Sequence, residues 1–371
     1  MNGPLASLKI LDFSTLLPGP FASLLLADMG AQVLRVESPT RMDLVRVLPP
    51  HVDGTSASHA YLNRNKRSVG LDLKQPQAVE VVKQLVQEYD IVLEQFRPGV
   101  MDKLGVGYEA LKAINPKLIY VSITGYGQTG PLRDRAGHDI NYLALAGVAS
   151  YTGRRESGPL PLGVQLADIG GGSLHGVMGL LAAVIHRQQT GEGQQVDVSM
   201  TDCAFSLHGM AGAGYLAAGV EPEMEGLALN GGSFYDYYRT RDGRWFSVGS
   251  LEPQFMQQFC AAIGRPELAA RGFRPSRKSS RRSSVRSPSS SRSRISRSGV
   301  SVSRRWMRAS SRCCRWRRRW NTRSCASAEW SRRCPMARAA RSDRRPVRSA
   351  FPPACPNRAI SVPHWGRTRR R

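Results

Sequence analysis

Short apolar runs alternate with amphipathic, glycine-punctuated stretches through the first 125 residues. Residues 8–13, Leu-Lys-Ile-Leu-Asp-Phe, predict a buried strand. Pro18-Gly19-Pro20 opens a helix through Leu24, Leu25, Leu26 and Met29, Gly30 ends it, and residues 32–37 predict a second strand. Strand, glycine-marked helix and strand make the βαβ unit of a parallel sheet. Residues 76–89 set Val79, Val82, Leu85 and Val86 on one helix face. Residues 90–95 and 118–124 predict further strands, with a helix-like stretch around Gly105, Tyr108 and Leu111 between them. Four strands alternating with helices argue for a doubly wound α/β domain.

The pattern continues as a helix over residues 137–150, a long apolar helix over 173–188, a strand over 194–200 and an Ala/Gly-rich helix over 201–218. It then changes. Residues 234–240 and 245–248 predict two strands joined by Arg241-Asp242-Gly243, a hairpin signal, and a helix follows over 255–264. Residues 1–225 are therefore assigned to a large domain and 226–272 to the start of a smaller α+β one. From Phe273 no helix or strand period persists.

Charge divides at the same place. The 371-residue chain has a formal net charge of +25, which suggests a nucleic-acid binder. Yet residues 1–272 hold 23 Lys and Arg against 26 Asp and Glu, whereas residues 273–371 hold 30 against only Glu329 and Asp343. Twenty-nine of those thirty cations are arginine. Three readings of the last segment compete: an Arg/Ser-rich tail binding RNA or phosphates electrostatically, a disordered extension, and out-of-frame translation of a GC-rich gene. The arginine excess, and Trp, Pro and Cys scattered without an Arg-Ser repeat, favour the third. Cys203 and Cys260, the two cysteines before the join, suit buried thiols in a reducing, cytoplasmic compartment. No signal-peptide pattern opens the chain and no run reaches about 18 apolar residues, so no membrane span is expected.

The first turn of the βαβ unit lacks Gly-x-Gly-x-x-Gly, so a standard NAD site is not expected. Residues 125–130, Gly-Tyr-Gly-Gln-Thr-Gly, match that spacing after a strand, but Pro131 and the charged Arg133-Asp134-Arg135 follow in place of an apolar helix. This stretch reads as a flexible glycine loop bordering a site. Arg64, Lys66 and Arg67 lead into a strand from a short polar loop, which is either a solvated edge or a polyphosphate site. The densest chemistry lies in Gly137-His138-Asp139-Ile140-Asn141-Tyr142 together with Asp168. A histidine and a carboxylate, each beside glycines and without a metal motif, can move a proton from carbon. Unpaired N–H groups at the helix start near Asp139 favour negative charge. The bland alternatives are a satisfied helix-start histidine for His138 and an N-cap for Asp168.

Several motifs occur in one order: Leu-Asp-Phe-Ser and Pro-Gly-Pro (within 11–20), Arg-Val-Glu (35–37), Asn-Arg-Asn-Lys-Arg-Ser-Val-Gly-Leu-Asp-Leu (63–73), Gln-Phe-Arg-Pro-Gly-Val (95–100), Leu-Gly-Val-Gly-Tyr-Glu-Ala-Leu (104–111) and Gly-Tyr-Gly-Gln-Thr-Gly-Pro (125–131). Over about residues 5–270 they resemble the family III CoA-transferases, the CaiB/BaiF superfamily, and residues 137–142 resemble its alpha-methylacyl-CoA racemase branch. The resemblance implies a Rossmann-like large domain that carries CoA, a small domain completed by the end of the chain, and an interlocked homodimer. It implies that His138 and Asp168 are an acid/base pair and that Glu252 orients the histidine. It also places Arg35, Arg64, Lys66, Arg67 and Arg97 in CoA-contacting segments. The implied substrate is an acyl-CoA of fatty acid metabolism. CoA is part of that substrate, no separate cofactor or metal is implied, and no specific nucleic acid or membrane partner is expected.

A C2 proton beside a thioester is weakly acidic, because the carbanion delocalises as an enolate. Inversion at C2 needs a base on one face and an acid on the other, roles that His138 and Asp168 can exchange. N–H groups around Asp139 are the candidate donors to the enolate oxygen. One rival is a CoA-transferase in which Asp168 is the nucleophile and forms an acyl anhydride. A second is nucleic-acid binding through the basic tail.

Overall fold

The computed structural model describes residues 3–271 and the strand Ser310–Arg312. The three readings of the segment from Phe273 fall otherwise outside the described residues. The described residues form two compact units, one holding those up to Tyr142 and Gln165–Ala204, the other Leu143–Val164 and those from Phe205.

The first unit is built on six parallel strands: β1 (Lys9–Asp12), β2 (Gln32–Glu37), β3 (Arg67–Gly70), β4 (Ile91–Glu94), β5 (Ile119–Thr124) and β6 (Gln194–Ser199). Their order is β6-β5-β4-β1-β2-β3. The chain winds outward from β1 to β3, then returns to the other side of β1, so the expected doubly wound α/β fold is present. All four residues of β4 and all six of β5 are buried. That explains their mostly apolar character, since a parallel sheet is covered on both faces. Leu11, Phe13, Val36, Val82, Val86, Val92, Leu111 and Tyr120 form one core cluster, with Val79 and Leu85 packed against it. The helix Pro18–Asp28 begins on prolines whose φ is already helical, and buries Leu24, Leu26 and Ala27 completely.

Two predicted helices differ in their bounds. The one expected over residues 173–188 begins earlier, as a wide π-type turn over Ala167–Leu174 that runs into the helix His175–Thr190. Three glycines permit this. At Gly171 a Cβ would lie 2.8 Å from the Met200 carbonyl oxygen, so only glycine lets the turn pass so close. The helix expected over residues 201–218 is broken at His208 into Met200–Leu207 and Gly209–Ala218. Ala167–Thr190 is also long and apolar enough, by length and composition, to cross a membrane, with a mean hydropathy of 1.4. Counting uninterrupted apolar residues overlooked it, because glycines and His175 interrupt the run. Here the stretch packs along β5 and β6, with Leu180 and Ala183 buried.

In the second unit, Asp236–Arg239 and Trp245–Val248 form the expected antiparallel hairpin, and Ser310–Arg312 pairs with the latter strand. Arg154 makes ion pairs with Glu225 and Asp236, joining the start of this unit to the hairpin. The helix Pro253–Ala262 follows.

Candidate active site

The site residues of the first unit are held at the carboxyl ends of the parallel strands, where open α/β sheets bind their ligands. β5 ends at Thr124, and the chain enters the glycine loop that leads to His138. Gly127 and Gly130 adopt φ of +84° and +86°, and the Gln128 N–H donates to Asp197 Oδ2 of β6 at 2.9 Å. The Tyr142 ring is clasped between Gly125 and Gly137, where an added Cβ would lie 2.5 and 2.6 Å from its Cε1. Its hydroxyl donates to the Gly137 carbonyl at 2.6 Å, and its ring meets Tyr126 edge-on.

Each polar position of the histidine motif has a separate task. The His138 N–H donates to Asn141 Oδ1 at 3.0 Å, while the Asn141 N–H returns to the His138 carbonyl at 2.8 Å. This reciprocal pair resembles a capping box and fixes the start of the helix Asp139–Leu145. The side chain of His138 is exposed. Asp139 is 8 % exposed, and its Oδ1 accepts the N–H groups of Ala167 at 2.7 Å and Asp168 at 3.1 Å. Asp168 therefore does not cap its helix. That helix start, which has no side-chain cap of its own, is capped from 28 residues away by Asp139. The bond serves two orphan donors and joins the two halves of the site.

Asp168 is half-buried on the π-type turn. Burial, then the neighbouring Asp139 charge, push its carboxyl up to about 6, while His138 opposes the rise. The two candidate proton carriers thus lie within electrostatic reach of one another. Ser173 Oγ donates to the Pro18 carbonyl at 2.6 Å, which ties the turn to the start of the first helix.

The five predicted cations divide. Arg35 is 1 % exposed, with its guanidinium held by Asp43 at 2.5 Å, His59 Nε2 at 3.0 Å and Glu37 at 3.4 Å. Lys66 is turned inward against the Pro20 carbonyl at 2.9 Å, Asn63 Oδ1 at 3.1 Å and the buried Asp12 at 3.4 Å, and burial lowers its pKa to about 8. Arg64 pairs with Asp28 and lies over the Tyr61 ring. Arg67 and Arg97 are exposed and have no ion pair among the described residues. Glu252 stands at the N-cap of Pro253–Ala262, in the second unit, without a side-chain cap bond. Sequence reasoning assigned no role to Asn141, Tyr142, Asp12 or Glu94. The first two were readable from their spacing to His138; the others depend on partners distant in sequence.

Residues 5–292 match the description CoA-transferase family III, a match that runs past Gly272. Human alpha-methylacyl-CoA racemase is 40% identical over 263 residues, covering 70% of this chain and 65% of that protein. The succinate–glutarate CoA-transferase of Agrobacterium fabrum is 38% identical over 273 residues, covering 72% and 68%. The chain spans about 65% of the length of the first of these curated relatives. The crystal structure of a CAIB/BAIF family protein from Brucella suis superposes with a TM-score of 0.65 at 30% identity, covering 91% of this chain and 88% of that one.

Proposed function

This chain belongs to the family III CoA-transferases, and we propose that it inverts C2 of 2-methylacyl-CoA thioesters by two-base proton transfer. Members of this family are enzymes, racemases or transferases, and relatives of both kinds match this chain at similar identity. The observation that carries the racemase reading is the pairing of exposed His138 with an Asp168 carboxyl raised to about 6. A carboxyl raised to about 6 can both take and give a proton near neutral pH, and the imidazole of His138 supplies the second group that inversion needs.

In this mechanism one group takes the C2 proton, leaving the electron pair on the thioester as an enolate. The other group delivers a proton to the opposite face, and the thioester re-forms. The Asp139 N–H, at the first position of its helix, is the candidate donor to the enolate oxygen. Arg67 and Arg97, whose charged ends face outward, are the candidates for CoA phosphates. Glu252 would orient His138 as the resemblance implies, and a homodimer is the expected assembly. The reaction uses no cofactor beyond the CoA of the substrate.

The second reading is CoA transfer with Asp168 as nucleophile, supported by the transferase relatives. Incubation of a 2-methylacyl-CoA in heavy water without an acceptor acid separates the two. Deuterium at C2 with loss of stereochemistry, abolished in His138→Ala and in Asp168→Ala while CoA still binds, supports the racemase. No exchange from folded protein that binds CoA, or full exchange in either variant, would overturn it. CoA transfer to an added dicarboxylic acid by His138→Ala, lost in Asp168→Ala, would establish the transferase.

A further inference from the structure

We propose that Glu94 is a positioning residue that holds Arg97 toward the phosphates of CoA. The proposal rests on the reading of Arg97 as a phosphate contact. β1 and β4 are neighbours in the sheet although their chain connections leave in opposite directions, so the crevice between their carboxyl ends is the switch point at which such sheets take ligands. β4 ends at Glu94, and the turn that follows is tied down at three points. The Glu94 carboxyl accepts the Phe96 N–H at 2.8 Å. Gln95 Oε1 reaches across the crevice and accepts the Gly19 N–H at 2.8 Å, at the start of the first helix. The Arg97 carbonyl accepts the Val100 N–H at 3.1 Å, and Gly99, at φ +79°, reverses the chain into the helix Val100–Lys103. Arg97 is the exposed side chain of this otherwise anchored turn.

Glu94 makes its bond from an unusual place. It is 4 % exposed and has no ion pair among the described residues. It lines a cavity of about 170 Å³ together with Arg97, Asp102, Tyr108, Ser122 and Gln128. Asp102 and Asp197, both acidic, are the charges that act on it most, and Tyr120 and Glu109 also border the cavity. The amide nitrogen of Gln128 is buried there without a hydrogen-bond partner among the described residues. A buried carboxyl among acids and without an ion pair among the described residues is costly to ionise, and such a group in a cleft points to function. Beside Ser122 at the strand end, its carboxyl holds the Phe96 N–H, and that bond sets the direction of the next residue, Arg97.

The test is the affinity of the full chain for CoA, measured by calorimetry for wild type, Glu94→Ala, Arg97→Ala and the double variant. Glu94→Ala and Arg97→Ala are each expected to weaken binding about ten-fold, the effect of one charge-assisted contact. The double variant should lose little more than either single one, because both remove the same contact. In C2 exchange the effect of Glu94→Ala should fall on KM rather than on kcat. If that variant does not fold, the comparison passes to Glu94→Gln, whose amide oxygen still accepts the Phe96 N–H and should bind within about two-fold of wild type, and Glu94→Met, which fills similar space without an oxygen to accept it and should bind as Arg97→Ala does. Additive losses, or Glu94→Met binding as wild type, would overturn the positioning role. Weakening by Glu94→Ala with none by Arg97→Ala would overturn Arg97 as the contact, and the proposal with it. A wild-type chain that binds no CoA would overturn the functional reading and this proposal together.

Discussion

Replacing Glu94 by glutamine should stabilise this protein above neutral pH. The carboxyl is buried at the end of β4 without an ion pair among the described residues, and burial raises its pKa from 4.5 to about 7, with the Asp102 and Asp197 charges adding to the rise. An acid whose folded pKa lies above its unfolded one binds more protons when folded. Its contribution is therefore most favourable below pH 4.5 and is lost as pH rises through about 7. At about 1.4 kcal/mol for each pH unit between the two values, the ionised carboxyl costs the folded state about 3 kcal/mol at pH 8. Glutamine has the same shape and can accept the same Phe96 N–H, but it has no charge to bury. Urea unfolding of wild type and Glu94→Gln at pH 5, 6, 7 and 8 measures the difference. The two curves should differ by less than about 1 kcal/mol at pH 5 and by about 3 kcal/mol at pH 8, with the variant more stable. In thermal unfolding that gap corresponds to roughly 6–12 °C for a folded part of this size. A constant difference across the pH range, or a variant less stable at pH 8, would refute the reasoning and would mean that the carboxyl is neutralised or solvated in its cavity.

Other expectations follow from the site. Asp139→Asn keeps an oxygen for the Ala167 and Asp168 N–H groups but removes the charge that is second to burial in raising Asp168. The acid limb of the C2-exchange rate should move down by less than about one pH unit, burial being retained; an unmoved limb would detach Asp168 from the proton transfer. Lys66→Met leaves the fully buried Asp12 without its cation. The chain should lose about 3 kcal/mol in urea unfolding at neutral pH, and a loss under about 1 kcal/mol would show that the Ser14 and Ser23 hydroxyls suffice for Asp12. Asn141→Ala removes the acceptor of the His138 N–H. It should lower stability by about 1 kcal/mol and slow C2 exchange without weakening CoA binding; unchanged exchange would show that His138 does not depend on this cap.

The sequence by itself determined the local elements and the kind of sheet. Buried parallel strands are mostly apolar runs, glycines and prolines mark their ends, and these signals lie within a few residues of one another. His138 and Asp168 were legible for the same reason: the chemistry is carried by residue type in a short motif. Tertiary structure alone decided what charged and polar groups do, because their partners are far away in the chain. Arg35, Lys66, Arg67 and Arg97 look alike as sequence, yet Asp43 and Asp12 take the first two into the interior while the others face outward. Asp168 reads as its own cap until Asp139 is brought beside it by the ends of the strands. The order of the strands likewise turned Glu94 from one acidic residue into a buried carboxyl at the switch point. Burial and charge pairing depend on every element that surrounds a group, and no local pattern records them.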